Sequence, residues 1–324
     1  MAKVWTVLRT VAIFCAVYLM VAAGLIVSQT PRAEGDDTLQ FDVLQGRKHE
    51  PGPVEMVTAR DSKNIAFRRH VSGRSGAPLL VLVHGSGAHG ASYDWLASEL
   101  AARDVADVIV PDLRGHGASG GSRGDVDYIG QLEDDLADLV EVQARDGQRV
   151  VFAGHSSGGG LIVRMAGGQH RDLMDGAILL APFLKYNAPT MRENSGGWAH
   201  AATRRIIGLE MLNAVGISML NRLSVIAFNI PETLSEAVLV QAYSYRMNRS
   251  YAPRSDYQTD LAALPETLLL VGERDEAFHA DKFAPVMQDA GAPAQVRVLN
   301  EIGHLDIINA PRTVDAMASF LKGE

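Results

Sequence analysis

Apolar positions in this chain fall into short unbroken runs, separated by longer stretches in which they recur at helical spacing. Leu79–Val83, Val108–Val110, Val150–Ala153, Gly176–Ala181 and Thr267–Val271 show no in–out alternation. That is the pattern of strands buried on both faces of a parallel sheet. Gln295–Leu299 closes the series, and Glu55–Thr58 and Ile65–Val71 flank a polar turn at Arg60–Asn64 as two leading strands. Ile129–Ala144 carries Ile129, Leu132, Leu136, Leu139 and Val140 on one helical face, and Arg312–Lys322 predicts a last helix. The expected fold is therefore α/β, a mostly parallel central sheet flanked by helices.

One connection breaks the rhythm. Between Gly176–Ala181 and Thr267–Val271 lies Phe183–Asp260, far longer than the usual link of ~4–6 residues. It is dense in large aliphatic residues from Ile206 to Phe228. It is expected to form a helical cap over the carboxyl ends of the strands, where open parallel sheets bind ligands. Ile206, Met211 and Phe228 are candidates to line an apolar pocket there. The expected organisation is residues 54–182 and 261–324 as two parts of one core, with 183–260 as the cap.

The first thirty residues have another pattern. Lys3 and Arg9 precede a charge-free run from Thr10 to Pro31, almost wholly apolar as far as Val27. Eighteen residues of helix reach ~27 Å, close to a bilayer core. Residues 1–30 are expected to be a membrane anchor, with a cleaved signal peptide or a buried core helix as the alternatives. The basic flank predicts that the bulk of the chain lies across the membrane, extracytoplasmic, or secreted if the segment is cleaved. Residues 31–53 are polar and contain Pro31, Pro51 and Pro53, which suits a tether.

Composition narrows the classes further. A net charge of −8 and the lack of a basic block argue against a nucleic-acid surface. Cys15 is the only cysteine, so neither a disulfide framework nor a thiolate metal cluster is expected.

The candidate chemistry sits in the loops after the strands. Gly154-His155-Ser156-Ser157-Gly158 lies between a buried strand and an apolar helix that starts near Gly159, and fits the G-x-S-x-G nucleophile elbow. Gly117-Ala118-Ser119-Gly120-Gly121 matches the same pattern but leads into a polar loop, so Ser119 is expected to be inert. His84-Gly85-Ser86-Gly87 comes after another buried strand, with no Gly-Lys-Ser/Thr behind it to make a phosphate cradle. The amides of Ser86 and Ser157 are expected to face each other as an oxyanion hole. His84 and His89 have no carboxylate at ligand spacing, so no metal is expected. Glu273, Asp275 and Glu276 compete for the role of an acid in the turn after Thr267–Val271. His304 stands after Gly303 in the loop before the last helix.

Together, His84-Gly85-Ser86-Gly87 with Tyr93 downstream, Asp112 to Gly121, Gly154 to Gly159, Gly272 to Asp275 and Gly303-His304 resemble the α/β-hydrolase superfamily. Within it the chain is most similar to the monoacylglycerol lipase and lysophospholipase-like branch, from about Glu55 onward. The branch often has methionine after the nucleophile, where this chain has Ser157. The resemblance implies an α/β-hydrolase fold and a triad of Ser156, Asp275 and His304, and favours Asp275 over its two neighbours. It implies an ester substrate bearing an acyl chain, hydrolysed without cofactor. An amidase or peptidase on the same triad, or a non-catalytic membrane-tethered binding protein, is the alternative.

Overall fold

The computed structural model describes residues 1–33, 39–40, 50–193, 197–231 and 239–324. The apolar runs become β1 (Glu55–Thr58), β2 (Asn64–His70), β3 (Leu79–Val83), β4 (Asp107–Pro111), β5 (Val150–His155), β6 (Gly176–Leu180), β10 (Thr267–Gly272) and β11 (Ala294–Leu299). They form one sheet in the order β1-β2-β4-β3-β5-β6-β10-β11. β2 is antiparallel to both neighbours, and from β4 to β11 every pairing is parallel. β5 is therefore an interior strand, and all six of its residues are buried.

The sheet is covered on both faces, which is why its strands show no polar alternation. Val81, Val83 and Phe152 meet helices α3 (Gln131–Gln143), α4 (Ser157–Ala166) and α8 (Phe283–Asp289) on one side. Leu80, Leu82 and Val151 meet α2 (Asp94–Ala102) and α9 (Pro311–Lys322) on the other. Each such leucine, wholly buried, contributes about 1.5–3 kcal/mol.

The long insertion is not all helical, as its aliphatic density suggests. It holds β7 (Ala199–Ala201), α5 (Thr203–Ala214), β8 (Ser224–Phe228), β9 (Ala242–Ser244), α6 (Tyr245–Tyr251) and α7 (Tyr257–Ala262). The strands pair antiparallel in the order β7-β8-β9. Gly216, at φ 81°, breaks the aliphatic run just after α5. Beyond it, the β-branched Val225 and Ile226 extend into a half-buried strand, where they fit better than in a helix. The insertion is joined to the core by backbone bonds, Val240 N–H to Gly87 O at 2.9 Å and Ser244 N–H to Gly124 O at 3.0 Å.

The first segment is a single helix, α1 (Ala2–Val27), long and apolar enough to cross a membrane. Most of its surface is open, with Trp5 at 75% and Phe14 at 71% exposure, so it is not a core helix. Its carboxyl-terminal third packs on α5: Tyr18 Oη donates to Met211 O at 2.8 Å, and Arg205 Nε donates to Ile26 O at 3.0 Å. Parts of the expected tether, residues 34–38 and 41–49, lie outside the described residues. Leu39, within it, is buried rather than solvated.

Backbones approach closely at the end of β5. A Cβ on Gly154 would stand 2.4 Å from Gly158 O, and one on Gly158 would stand 2.6 Å from Val83 O. Gly154→Ala should therefore lower stability to urea by about 2 kcal/mol or more. Gly24→Ala, with nothing within 4 Å of the added carbon, should leave the urea midpoint unchanged. Equal midpoints for the two variants would refute this packing argument.

Candidate active site

Ser156 is the residue between β5 and α4, and its backbone sits at φ 53°, ψ −119°. A side-chain-bearing residue held there costs about 1–3 kcal/mol, so the surroundings must impose it. They do so by main-chain bonds. Ser156 N–H donates to Leu180 O at 2.9 Å, while Phe183 N–H and Gly160 N–H donate to Ser156 O at 2.9 and 3.1 Å. The helix begins at Ser157, two residues earlier than the apolar pattern indicates.

His304 and Ser156 line the same cleft. Nδ1 of His304 lies 2.8 Å from Oδ2 of Asp275, and both residues are about 1% exposed. The other Asp275 oxygen accepts from the amides of Ala277 and Phe278 at 2.9 and 2.7 Å. The three acids of that turn thus have distinct partners. Glu276 takes the backbone N–H of His304 at 2.7 Å, Glu273 takes that of Glu301 at 3.0 Å, and Asp275 meets the His304 ring.

The glycine-rich loop after β3 faces the start of α4. Gly85 N–H donates to Tyr93 Oη at 3.0 Å, and Gly87 N–H to Tyr243 Oη at 2.7 Å. Neither the Ser86 nor the Ser157 amide has an acceptor among the described residues. Their hydroxyls lie 2.5 Å apart, so the two predicted serines come together at the cleft. Ser119 does not join them: its hydroxyl donates to Asp112 O and accepts from Ala66 N–H at 2.8 Å.

Sequence reasoning missed the layer beneath. Tyr93 Oη lies 2.8 Å from His155 Nδ1, and His155 Nε2 lies 3.0 Å from His304 O. A carbonyl only accepts, so His155 carries its proton on Nε2 and Nδ1 accepts from Tyr93. Leu113 N–H donates to His84 Nε2 at 3.0 Å, which places the His84 proton on Nδ1, facing Gly85 O at 2.9 Å. His116 contacts Arg114 O through Nδ1 and takes the Tyr243 hydroxyl through Nε2 at 2.7 Å. Burial disfavours the charged form of all three rings, lowering His84 to about 4 and His116 and His155 well below their ordinary range. The signal available in the sequence was histidine and tyrosine within or beside the glycine motifs.

Beyond Ser156 a second cleft is lined by Met191, Trp198, Ile226, Phe228 and Tyr243. Trp198 and Phe228 stack at 4.8 Å. Phe228 is thus in the pocket, whereas Ile206 and Met211 belong to a separate cluster with α1.

A sequence profile of the serine aminopeptidase S33 family matches residues 77–309, which contain β3 to β11 and all of these loops. The chain belongs to that family. It is an α/β-hydrolase of the monoacylglycerol-lipase-like branch. It is 32% identical to the monoglyceride lipase of Rattus norvegicus over 145 residues, 44% of either chain. It is 28% identical to a probable protein phosphatase methylesterase 1 of Caenorhabditis elegans over 162 residues, 48% of this chain and 43% of that one. Each match thus spans less than half of the relative's length. A bacterial membrane phospholipase A shares the fold, with a TM-score of 0.58 at 20% identity, covering 100% of this chain and 99% of that one. These likenesses place it among esterase- and lipase-like hydrolases.

The buried histidines make stability depend on pH. Their folded pKa values lie below the unfolded value of ~6.5, so the stability they contribute is complete above that pH. It is lost as pH falls toward about 4, because the unfolded chain takes up protons that the folded chain refuses. Each fully depressed ring adds a slope of up to ~1.4 kcal/mol per pH unit in that window. Urea midpoints should fall steeply between pH 6.5 and 5, and less steeply in His116→Gln. A flat profile across this window would contradict neutral burial of the rings.

Proposed function

We propose that this protein is a serine carboxylic-ester hydrolase whose substrates carry an acyl chain, of the monoacylglycerol or lysophospholipid kind. The observation that carries the reading is that the His304–Asp275 pair and the Ser86 and Ser157 amides, neither with an acceptor among the described residues, gather around Ser156. His304 Nε2 takes the Ser156 proton as Oγ attacks the ester carbonyl. Asp275 holds the proton on Nδ1 and stabilises the imidazolium. The Ser86 and Ser157 amides bind the tetrahedral oxyanion, each such donor contributing about 2.7–4 kcal/mol in comparable sites. His304 then protonates the leaving alkoxide, and water, deprotonated by the same ring, cleaves the acyl-enzyme to acid and free Ser156.

The family's description raises an aminopeptidase reading. Holding a substrate ammonium calls for a carboxylate facing the cleft, and neither cleft at Ser156 has one among its described lining residues. Met191, Trp198, Ile226 and Phe228 suit an acyl chain instead. In this reading α1 anchors the enzyme, residues 54–182 and 261–324 form the catalytic core on the far side of the membrane, and 183–260 form the cap.

Two outcomes test the assignment. A fluorophosphonate probe should label the wild type and Ser119→Ala but not Ser156→Ala, and His304→Ala should lose at least ~100-fold in kcat. Labelling that survives Ser156→Ala and vanishes in Ser119→Ala would reverse the choice of nucleophile. For the substrate class, kcat/KM on p-nitrophenyl esters should rise from C2 to C8, since each buried methylene contributes ~0.8 kcal/mol. Phe228→Ser should flatten that rise. A preference for acetyl esters or aminoacyl amides would dispose of the acyl-pocket reading.

A further inference from the structure

The second cleft at Ser156 is lined by residues of two kinds. The insertion and the turn after β10 supply carbon and sulfur, through Met191, Ile226, Phe228 and Phe278. The loop after β3, the start of α4 and α6 supply polar side chains, among them Ser86, Ser157 and Asn248. Tyr243 and Tyr251 also reach this cleft, but their hydroxyls are engaged, the first with Gly87 N–H and His116 and the second with His84 at 3.2 Å.

Asn248 is placed differently. Asparagine is a poor helix former, and inside a helix it gains most by bonding to nearby backbone. Asn213 of α5 does so, donating to Leu209 O at 2.7 Å, and Asn221 and Asn229 of the same insertion are also paired. Asn248 lies within α6, beyond its Ser244 cap, and its side chain has no hydrogen-bond partner among the described residues. It is partly buried and open to the cleft. The helix that carries it packs on the first turn of α4, where a Cβ on Gly160 would stand 3.1 Å from Tyr251 O. Ser157 precedes Gly160 by three residues and Asn248 precedes Tyr251 by three, so each shares a helix face with that contact. The Ser157 hydroxyl meets that of Ser86, and its oxygen keeps capacity for a further bond.

A saturated alkyl chain filling this cleft would strip water from the Asn248 amide and offer no bond in exchange. A hydroxyl on the chain would restore it, since the amide accepts at Oδ1 and donates at Nδ2 and a hydroxyl does both. Ser157 fixes the level at which such a group is met. It follows the nucleophile directly, so its side chain flanks the first carbons of the acyl group.

We propose that the acyl group this cleft selects is a hydroxyacyl, with its hydroxyl on the second or third carbon bound by Asn248 and with Ser157 beside it. This rests on the reading of the protein as a Ser156 ester hydrolase, and its test separates the two. Acid release by the full chain would be followed on methyl octanoate, methyl 2-hydroxyoctanoate and methyl 3-hydroxyoctanoate. One of the hydroxy esters should exceed methyl octanoate about tenfold in kcat/KM, the effect of one hydrogen bond that the plain chain leaves unmade. In Asn248→Leu, which keeps the volume and removes the bond, that ratio should fall to one or below. Asn248→Ala should give the same result if the leucine variant does not fold. Equal rates on the three esters in the wild type would overturn the proposal, and so would a ratio that survives both substitutions. A loss shared equally by all esters counts as such survival, because damage to the fold leaves the ratio where it was. Fluorophosphonate labelling of Ser156 alongside either result would leave the hydrolase reading standing. No labelling and no hydrolysis of any ester would overturn both. A preference for 2-hydroxyethyl octanoate over propyl octanoate that vanishes in Asn248→Leu would assign the amide to the leaving alcohol and overturn the hydroxyacyl assignment.

Discussion

The strained backbone of Ser156 is the constraint on which the rest of the architecture depends. A φ of 53° on a serine is held against its own preference by bonds to Leu180, Phe183 and Gly160, which come from β6, the loop after it and α4. Those bonds require β5 and α4 to approach until only hydrogen fits on Gly154 and Gly158. That approach in turn needs an interior, fully buried strand, and so a sheet covered on both faces by the two apolar clusters. The strain at one residue is offset by an entire core.

A second layer converts that rigidity into alignment. Tyr93 takes the Gly85 amide and hands its own proton to His155, which holds the carbonyl of His304. Tyr243 does the same between Gly87 and His116. Gly85 and Gly87 are paired off in this way, while the Ser86 amide between them has no acceptor among the described residues. The layer works because its histidines are neutral: each then has one donor and one acceptor, a direction that a protonated ring would lose. Glu276 adds a hold on the backbone of His304, while Asp275 holds its ring.

Much of this was legible in the residues because the physics is local. Continuous apolar runs between glycine-rich turns identify buried parallel strands. The elbow at Ser156 differs from its look-alike at Ser119 in leading into an apolar helix rather than a polar loop. Among the three acids after β10, only the shape of the turn decides which one meets His304, and that is not written in spacing. The cap's strands were hidden inside an aliphatic run whose helical part ends at Gly216, since short half-buried strands carry no periodicity of their own. The seam of α1 on α5 joins residues some 180 positions apart, and it is marked in the sequence by a lone glycine, Gly208. Leu39 was hidden in the same way, an apolar residue in a polar stretch that turns out to line the cleft with Ser156.

The attachment of the cap constrains how the enzyme can open. Val240 N–H bonds to Gly87 O, Ser244 N–H bonds to Gly124 O, and a Cβ on Gly124 would stand 2.2 Å from Ala242 O. The cap is thus riveted to the very loop that carries Ser86. A hinged lid swinging as one body would drag that loop out of register with the start of α4. Opening that keeps Ser86 in register is left to side chains that line the cleft, such as Trp198 and Leu305, so that the doorway can move while the door frame stays fixed.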